Sequence, residues 1–506
     1  MLAALSVAID LGLGQPAEHM LRAATLASRL AERLGLPERQ RGGAYYATLL
    51  MWIGCTADSQ EYARWFGDDI AVRSASYLVD WSGLRFARFL LEHVAHGRPL
   101  PQRAATLAEL MVSARGNLGR LLHSHCLSAS LLAGRLGLPT EVQDAVSAAF
   151  ERYDGRGMPQ GLSGDGIPIE MRIAQLADTA EVHHRLGGVD GATAMARDRR
   201  GGQFDPALVD AFVADAAALL DIPHGSAAWA AALACAPDRD EVLQDAVLDE
   251  TLAAIGDFAD LKCPFLLGHS RGVAALAAGA AGVCGLPAHE TVTLRRAASV
   301  HDIGRLGVSN LIWSKAAPLD DEEWERVRMH PYLGGRVLSR VPGLAAEAAL
   351  VRTHHERPDG SGYPAGAPGA GLARSDRLLA AAVAYRSALE PRPYRPALDP
   401  GEAVARLERR VAGGMLDADA VAAVTEAAGI HPSRPALPAG LTPREAEILT
   451  LVGQGRSNRD IAAALFLSEK TVRNHVERTY AKIGAVNRVG ASLFAIDHGF
   501  VTGRPG

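Results

Sequence analysis

Two adjacent histidines, His354 and His355, are followed by a stretch rich in glycine and proline, Glu-Arg-Pro-Asp-Gly-Ser-Gly-Tyr-Pro. Neutral imidazole is the commonest metal-ligating side chain in proteins. Glycine and proline end helices, so the pair is expected where a helix gives way to a shaped loop. A pair of histidines by itself is as compatible with a chance surface arrangement as with a pair of ligands. The loop residues that this pattern singles out are Asp359, Gly360, Gly362, Tyr363 and Pro364.

Three further segments upstream carry histidines at predicted helix ends. His301 and Asp302 follow an apolar run, and His269 and His330 each open a new segment. A single histidine on a helix is usually structural or solvated, but five histidines and one aspartate placed in this way are difficult to explain by packing. Nitrogen and oxygen ligands of this kind suit divalent metal ions. The candidate metal ligands are therefore His269, His301, Asp302, His330, His354 and His355.

With these motifs, residues 262–430 resemble an HD-GYP domain, a branch of the HD phosphohydrolase superfamily, and Gly362-Tyr363-Pro364 matches its name-giving triplet. The resemblance implies that the six residues bind metal, often iron or manganese, and that a metal-bridged water attacks a phosphodiester, typically of cyclic di-GMP. It implies catalytic roles for His301, Asp302 and Arg305, and a role for the loop in contacting substrate or a partner. Paired metals suit such chemistry because they activate water and hold the phosphate oxygens.

The chain departs from the family pattern at three positions. Val383 stands where the family has its last aspartate ligand, and Phe265 stands where some members have a glutamate for a third metal. Arg305 replaces a lysine, which keeps the charge but changes the geometry. We therefore expect two iron or manganese ions at most, held by a weakened ligand set. Asp376 and Glu356 are possible substitutes, although neither lies at the expected helical position.

An internal repeat relates the two halves of the chain. Phe150 and the loop that follows match His355 and its loop at an offset of 205 (355 − 150). The segment containing His19 matches the one containing His269 at an offset of 250 (269 − 19). The difference, 45 residues, indicates an insertion in the first copy at about residues 57–102.

The first copy has lost most of its candidate ligands. Met51 and Trp52 stand at the His-Asp positions, and Ala149 and Phe150 stand at the His-His positions. Too few ligands remain for a dinuclear metal site, so its remaining histidines are interpreted as structural. An alternative is that Asp178, which aligns with Val383, completes the other site. The aromatic residues of the insertion could cover the old pocket, form an interface or simply pack in the core.

The apolar periodicity predicts an all-α fold, and the family resemblance implies two HD-type helical bundles in tandem, followed by a C-terminal domain of four helices. The predicted segments are a degenerate HD-GYP-like domain at 1–220, a helical connector at 221–260, an HD-GYP-like phosphohydrolase domain at 261–430, a proline-rich linker at 431–440 and the C-terminal domain at 441–506.

The assignment of the last segment rests on local signals. Thr442 and Glu445 form a capping-box pattern, and Ser468 is placed to cap a helix over 469–483. Residues 438–506 carry nine Lys and Arg against six Asp and Glu (9 − 6 = +3), as a DNA-binding module requires. The segment closely resembles the LuxR-type helix-turn-helix. The resemblance implies a recognition helix in the major groove, with Arg473, Asn474 and Glu477 at base edges and Lys470, Thr471, Arg478 and Lys482 at phosphates.

Bulk composition limits the remaining possibilities. The formal net charge of the 506 residues is −5, which argues against a general nucleic-acid binder. Five scattered cysteines suggest reduced thiols and a cytoplasmic location. The uncharged run 272–288 is short for a membrane span, so a buried helix and no membrane partner are expected.

Three functions fit these features. The first is a DNA-binding transcription regulator whose HD-GYP-like module binds metal and senses or slowly hydrolyses a phosphorylated, cyclic-dinucleotide type of ligand. The second is an active metal-dependent phosphodiesterase with a helix-turn-helix output. The third is a regulator whose HD copies are inactive and serve dimerisation. The loss of the aspartate at Val383 favours the first and third, and the six remaining ligand positions favour metal binding. A homodimer is expected because a single domain of the LuxR type binds DNA weakly.

Overall fold

The computed structural model describes residues 1–95, 99–237, 242–366, 371–430, 438–465, 467–498 and 500, without the side chains of 110–117, 443 and 496. Most of the predicted linker (431–437) lies outside these ranges, as do parts of the predicted insertion (96–98), connector (238–241) and C-terminal domain (466, 499 and 501–506). The chain divides into two compact units, Met1–Gly429 and Ile430–Gly506.

Helices build both units, which confirms the predicted all-α class. Those of the first half are α1 Leu2–Leu13, α2 His19–Arg33, α3 Glu38–Leu50, α4 Ser59–Phe66, α5 Asp69–Ser76, α6 Gly83–His93, α7 Leu100–Arg135, α8 Thr140–Ser147, α9 Ile169–Asp198, α10 Pro206–Ala214, α11 Ala216–Leu219 and α12 Ser226–Cys235. Those of the second half are α13 Asp245–Asp260, α14 His269–Val283, α15 Ala288–Val300, α16 Asn310–Trp313, α17 Asp321–Arg328, α18 His330–Leu338, α19 Ala345–Thr353, α20 Arg374–Ala388, α21 Pro400–Ala412 and α22 Ala418–Ala427.

Helix bounds in the two halves recur at the offsets found in the sequence. Both ends of α2 and α14 differ by 250 (269 − 19 and 283 − 33), and so do both ends of α3 and α15 (288 − 38 and 300 − 50). The starts of α9 and α20 differ by 205 (374 − 169). A capping contact recurs as well, because Asp10 accepts from the backbone N–H of Met20 at 3.1 Å and Asp260 accepts from that of Ser270 at 2.9 Å.

In each half one helix packs against several others. In the first half α2 packs against α3 and α9, and in the second α14 packs against α15, α20 and α22. Small side chains let these helices approach closely, and Leu378 and Leu379 of α20 are fully buried. Burying a leucine side chain contributes about 1.5–3 kcal/mol. The helices of the predicted connector divide between the halves, since α12 packs on α2, whereas α13 packs on α14 and α15.

The insertion in the first half contacts the second half through the buried carboxylate of Asp69 at the start of α5. One oxygen of Asp69 accepts from the Ser309 hydroxyl at 2.7 Å and from the Asn310 backbone N–H at 2.8 Å. The other lies 3.3 Å from the ammonium of Lys262 and 3.3 Å from the guanidinium of Arg73. A buried carboxylate needs this many partners to offset its desolvation. The insertion therefore forms part of an interface between the two halves.

The C-terminal unit contains α23 Pro443–Gly453, α24 Asn458–Leu465, α25 Glu469–Ile483 and α26 Arg488–Asp497. The predicted caps are present: Thr442 and Glu445 form a capping box on α23, and the Ser468 hydroxyl accepts from the backbone N–H of Thr471. Val472 and Val476 are buried in the core of this unit, which holds α25 by one face.

Among the described residues, none of the helices combines the length with the apolar character that crossing a bilayer requires.

Candidate functional site

The six predicted ligands come together in the second half, around the carboxylate of Asp302. Its Oδ2 lies 3.6 Å from Nε2 of His269 and 3.3 Å from Nε2 of His301. Its Oδ1 lies 3.4 Å from Nε2 of His330 and 3.7 Å from Nε2 of His354. The two carboxylate oxygens therefore face two different pairs of imidazoles.

Helix ends place these side chains. His269 and His330 are the first residues of α14 and α18, while His301 and His354 directly follow the last residues of α15 and α19. Since backbone groups at helix ends have no intrahelical partner, the ends also supply carbonyls. Nδ1 of His301 donates to the carbonyl oxygen of Ala298 at 2.8 Å, and His330 and His354 make the equivalent bond to the residue three positions earlier at 2.6 Å. This arrangement fixes the tautomer and leaves each Nε2 lone pair facing Asp302.

The centre contains buried polar atoms without hydrogen bonds. They are Nε2 of His269, Nε2 of His301 and both carboxylate oxygens of Asp302, of which Oδ2 nevertheless forms an ion pair with Arg305. Buried polar groups are almost always paired, so a cluster of unsatisfied lone pairs matches the donor set of a cation. Within it, His269, His301 and Asp302 form one group whose ligand atoms lie within 4.8 Å of one another, and His330, His354 and His355 form a second.

The charge states of His354, His355 and Asp302 suit a cation, whereas Asp302 raises the pKa of His301 despite its burial. Burial, together with neighbouring histidines, holds the pKa of His354 and of His355 well below its usual range. Burial would raise the pKa of Asp302, but Arg305 and His301 hold it well below its usual range. Neutral imidazole and ionised carboxylate are the forms that bind metal.

Arg305 holds Asp302 from outside the histidine cluster. Its Nε lies 2.7 Å from Oδ2 of Asp302, and its guanidinium lies 4.6 Å from the ring centre of Trp313. Trp313 also makes an edge contact with His330. The cation–π contact stabilises the buried guanidinium of Arg305. It also fixes the orientation of the guanidinium relative to the carboxylate of Asp302. Arg305 is therefore positioned to orient Asp302.

The loop after His355 closes one side of the cluster. The ring of Tyr363 stacks on His355 with centroids 4.7 Å apart. A side chain at Gly362 would place a Cβ 2.5 Å from the Cα of Glu356, so only glycine permits this turn. Asp359 accepts from the backbone N–H of Ser361 at 2.9 Å and so stabilises the loop internally. Gly360 has a φ of 77°, and Pro364 follows Tyr363 directly.

The aspartate that the family has at position 383 is not replaced by a carboxylate from either possible substitute, Asp376 or Glu356. Val383 is buried and lines the cavity next to the histidine cluster. Asp376 caps α20 by accepting from the backbone N–H of Ala373 at 2.8 Å, and Glu356 accepts from the backbone N–H of Ala365 at 2.7 Å.

Glu390 is a member of the site that the sequence analysis missed. Its Oε2 accepts from Nδ1 of His269 at 2.8 Å, and Arg386 and Arg392 are ion-paired to it. It lies seven residues after Val383 (390 − 383), two helical turns beyond the lost aspartate. In the sequence, Glu390 could have been identified as an acidic residue just after the end of α20 with arginines on both sides, Arg386 and Arg392.

A cavity of about 630 Å³ opens beside the cluster. His330, His354, His355 and Tyr363 form part of its wall, and the wall also carries seven cationic side chains, Arg305, Lys315, Arg357, Arg392, Arg395, Arg406 and Arg410. Such a wall favours an anionic ligand.

The corresponding place in the first half is a closed network of ion pairs. The two ring nitrogens of His19 lie 2.9 Å from Asp178 and 2.6 Å from Glu181. Trp52, which stands at an aspartate position of the motif, donates its indole N–H to Asp178 at 3.0 Å, and Tyr77 donates its hydroxyl at 3.2 Å. Asp178 is thus engaged within its own half, where these contacts occupy it fully.

His125 is satisfied in the same way. One ring nitrogen lies 3.2 Å from Asp58, and the other lies 3.0 Å from the carbonyl oxygen of Met51. Cys55, Asp58 and His125 are close enough to resemble a ligand set, but the partners of His125 and the ion pair between Asp58 and Arg73 already occupy these groups.

Aromatic side chains of the insertion cover this first-half pocket. Trp81 stacks on Phe150 with ring centroids 5.7 Å apart and on Phe86 at 6.0 Å. Trp65 instead packs in a separate small core with Val94 and Leu121. The insertion therefore contributes a cover, an interface and a core of its own.

On α25, the side chains predicted to meet DNA lie mostly on the exposed face. Lys470, Arg473, Asn474, Glu477, Arg478 and Lys482 are exposed, and Thr471 is half-buried and hydrogen-bonded to Ser468. Lys482 differs from the rest because it lies 2.6 Å from a carboxylate oxygen of Glu445 and donates to the carbonyl oxygen of Gly440. Its charge is thus used inside the domain.

Comparison with protein families matches two descriptions to the chain. "HD domain" matches residues 109–208 and 254–419, and "Bacterial regulatory proteins, luxR family" matches residues 439–495. The HD match covers parts of both halves. The luxR match covers α23 to α25 and most of α26, and it identifies the C-terminal unit as a LuxR-type helix-turn-helix domain.

The chain is similar along most of its length to a protein of Vibrio cholerae named 3'3'-cGAMP-specific phosphodiesterase 3, with 27% identity over 85% of this chain and 95% of that one. A cyclic di-GMP phosphodiesterase of Thermotoga maritima is 32% identical over 29% of this chain and 39% of its own. A transcriptional regulatory protein of Bacillus subtilis is 50% identical over 12% of this chain and 27% of its own. A crystal structure of a V. cholerae cyclic GMP-AMP specific phosphodiesterase shares the fold, with a TM-score of 0.58 and 24% identity over 85% of this chain and 97% of that one.

Proposed function

This chain belongs to the HD domain family, and we propose that it is a DNA-binding regulator whose second half binds two divalent cations and takes a cyclic dinucleotide. The observation that carries the proposal is the placement of Asp302, whose two oxygens face separate pairs of histidines. With its oxygens facing both groups, Asp302 would help to hold two cations, which would supply the Lewis-acid chemistry of a two-metal site. We propose iron or manganese as the cations, as the family resemblance implies.

Bound cations would supply Lewis-acid activation of a phosphodiester and of a water molecule. The protein's own contribution is to hold the ligands in place before binding. Arg305 orients Asp302, backbone carbonyls orient His301, His330 and His354, and Tyr363 packs over His355. Preorganisation of this kind avoids reorganisation during the reaction.

The cavity supports a ligand of nucleotide size. Its volume of about 630 Å³ falls within the range of small-molecule sites, and its cationic wall would neutralise phosphates. The proteins that the chain resembles are named for cyclic dinucleotides, and we extend that ligand class to this chain.

We propose that ligand state controls DNA binding by the C-terminal domain. A ligand shifts such an equilibrium only if it binds the two states with different affinity. Binding of a two-fold DNA site by a homodimer would fit a helix-turn-helix domain. We further propose that the first half is a degenerate copy of the second, kept for packing, as its paired histidines and recurring helix bounds suggest.

A fast phosphodiesterase with a helix-turn-helix output is the second candidate, and Val383 favours a sensor that hydrolyses slowly over it. The valine puts an apolar wall where the family has a charged ligand. Fewer negative ligands weaken the hold on two cations, which favours binding of the nucleotide over turnover.

The test is hydrolysis of cyclic di-GMP and of 3'3'-cGAMP by metal-loaded protein. We expect linear dinucleotide or mononucleotide products from the wild type and none from a His301→Ala/Asp302→Ala variant. Tight binding without products would favour the sensor, and neither binding nor products would contradict both candidates.

A further inference from the structure

Three arginines on the cavity wall are neither candidate metal ligands nor ion-paired to one. Arg357 directly follows the loop glutamate Glu356, and Arg406 and Arg410 lie one turn apart on α21. All three are half-buried. Among the described residues, none of the three forms an ion pair with a carboxylate, whereas Arg386 and Arg392 nearby share Glu390.

Arg357 makes polar contacts with neutral groups. Arg357 donates to the Ser361 hydroxyl at 3.3 Å and approaches the sulfur of Met415 at 3.7 Å. Burial lowers the pKa of Arg410, and Arg357 and Arg406 lower it further through repulsion. Crowded, partly desolvated guanidinium groups destabilise a fold unless an anion compensates them. This group of positive charges therefore favours the binding of an anionic ligand.

The position of the group relates it to the candidate metal centre through Tyr363. The Tyr363 ring stacks on His355. Tyr363 and the three arginines line the same cavity, so the arginine group and the histidine cluster face one shared space.

We propose that Arg357, Arg406 and Arg410 form a second anion subsite, which binds the phosphate that does not face the histidine cluster in a ligand with two linked phosphates. This inference rests on the proposed function and specifies how the cavity would select a cyclic dinucleotide over a mononucleotide. Guanidinium groups suit the task because each can offer two parallel N–H donors to one phosphate.

The experiment compares an Arg406→Ala/Arg410→Ala variant with wild type and with Arg409→Ala, an exposed arginine on the same helix. Equilibrium binding of cyclic di-GMP and of GMP is measured, together with hydrolysis of bis(p-nitrophenyl) phosphate, a diester with a single phosphate. We expect the double variant to bind cyclic di-GMP at least about tenfold more weakly, the loss of one charged hydrogen bond or more. Its affinity for GMP and its diester hydrolysis should fall by clearly less than its affinity for cyclic di-GMP, with Arg409→Ala as the reference.

An equal loss for both nucleotides, no loss for either, or a wild type that fails to bind cyclic di-GMP would overturn the subsite. Arg410→Lys keeps the positive charge but lacks the two parallel N–H donors of arginine. Its affinity for cyclic di-GMP should lie between those of wild type and the double variant, which would show that the loss in the double variant does not come from misfolding. Metal content of the same samples separates the two proposals. A wild type without metal contradicts the proposed function, and a metal-loaded wild type that does not distinguish the two nucleotides contradicts the subsite alone.

Discussion

Glu390 accepts a hydrogen bond from Nδ1 of His269 at 2.8 Å, so a carboxylate from the end of α20 orients the first imidazole of the cluster. The other histidines with a fixed Nδ1 use backbone carbonyls. A carboxylate partner makes an imidazole more basic and a better metal ligand. In the proposed metal site, Glu390 would therefore offset part of what a valine at position 383 takes from the ligand set.

Glu390→Gln keeps the shape of this partner but removes its charge. We expect metal affinity to fall about 10–100-fold, the usual effect of losing such a contact. Competition with a chelator measures it. Glu408→Gln, an exposed acid on α21, is the control and should leave affinity unchanged, and equal affinities for both variants would refute the role of Glu390.

Val383→Asp should restore the missing ligand. In the metal-free protein it buries an unpaired charge, which costs several kcal/mol, so we expect a lower melting temperature without metal and a larger gain on adding metal than in wild type. Val383→Asn serves as the uncharged control. If metal stabilises the Asp and Asn variants equally, position 383 does not reach the cations.

Alkaline pH should destabilise the first half through His19. Burial alone would lower the pKa of His19, but Glu181 and Asp178 raise it to about 10. Because the folded pKa lies above the unfolded value of 6.5, this stabilisation is complete below about pH 6.5 and is lost as the pH rises through about 10. The loss is at most about 1.4 kcal/mol per pH unit. The apparent Tm of wild type should fall across this window more than that of His19→Gln, and parallel curves would refute the charged pair.

Arg473→Ala should weaken binding to the specific DNA site by about 1–3 kcal/mol, because we propose that this exposed arginine in the N-terminal half of α25 contacts a base edge. Competition between specific and non-specific DNA measures the change. Unchanged specificity in Arg473→Ala would contradict the contact assignment.

Lys482→Ala should instead lower the thermal stability of the C-terminal domain, since Lys482 pairs with Glu445.

Features set by local sequence could be predicted well. The caps of α23 and α25 depend on residues three positions apart, so Thr442, Glu445 and Ser468 reveal them directly. The ligand positions were recognisable because each motif places a histidine at a helix end, and the structure brings those six side chains together.

Features that depend on long-range packing could not be predicted. Glu390 and His269 are 121 residues apart, and nothing near either one indicates the other. The same holds for Trp52 and Tyr77 at Asp178 and for the contact of Asp69 with Asn310. Each depends on how helices pack, which the period of apolar residues does not determine.

The metal content of purified wild type and of an Asp302→Asn variant tests the central claim most directly, with His19→Gln as the matched control in the first half. We predict close to two transition-metal ions per chain in wild type and His19→Gln, and a clear loss in Asp302→Asn, because one carboxylate serves both ligand groups. Wild type without metal, or Asp302→Asn with as much metal as wild type, would contradict the account.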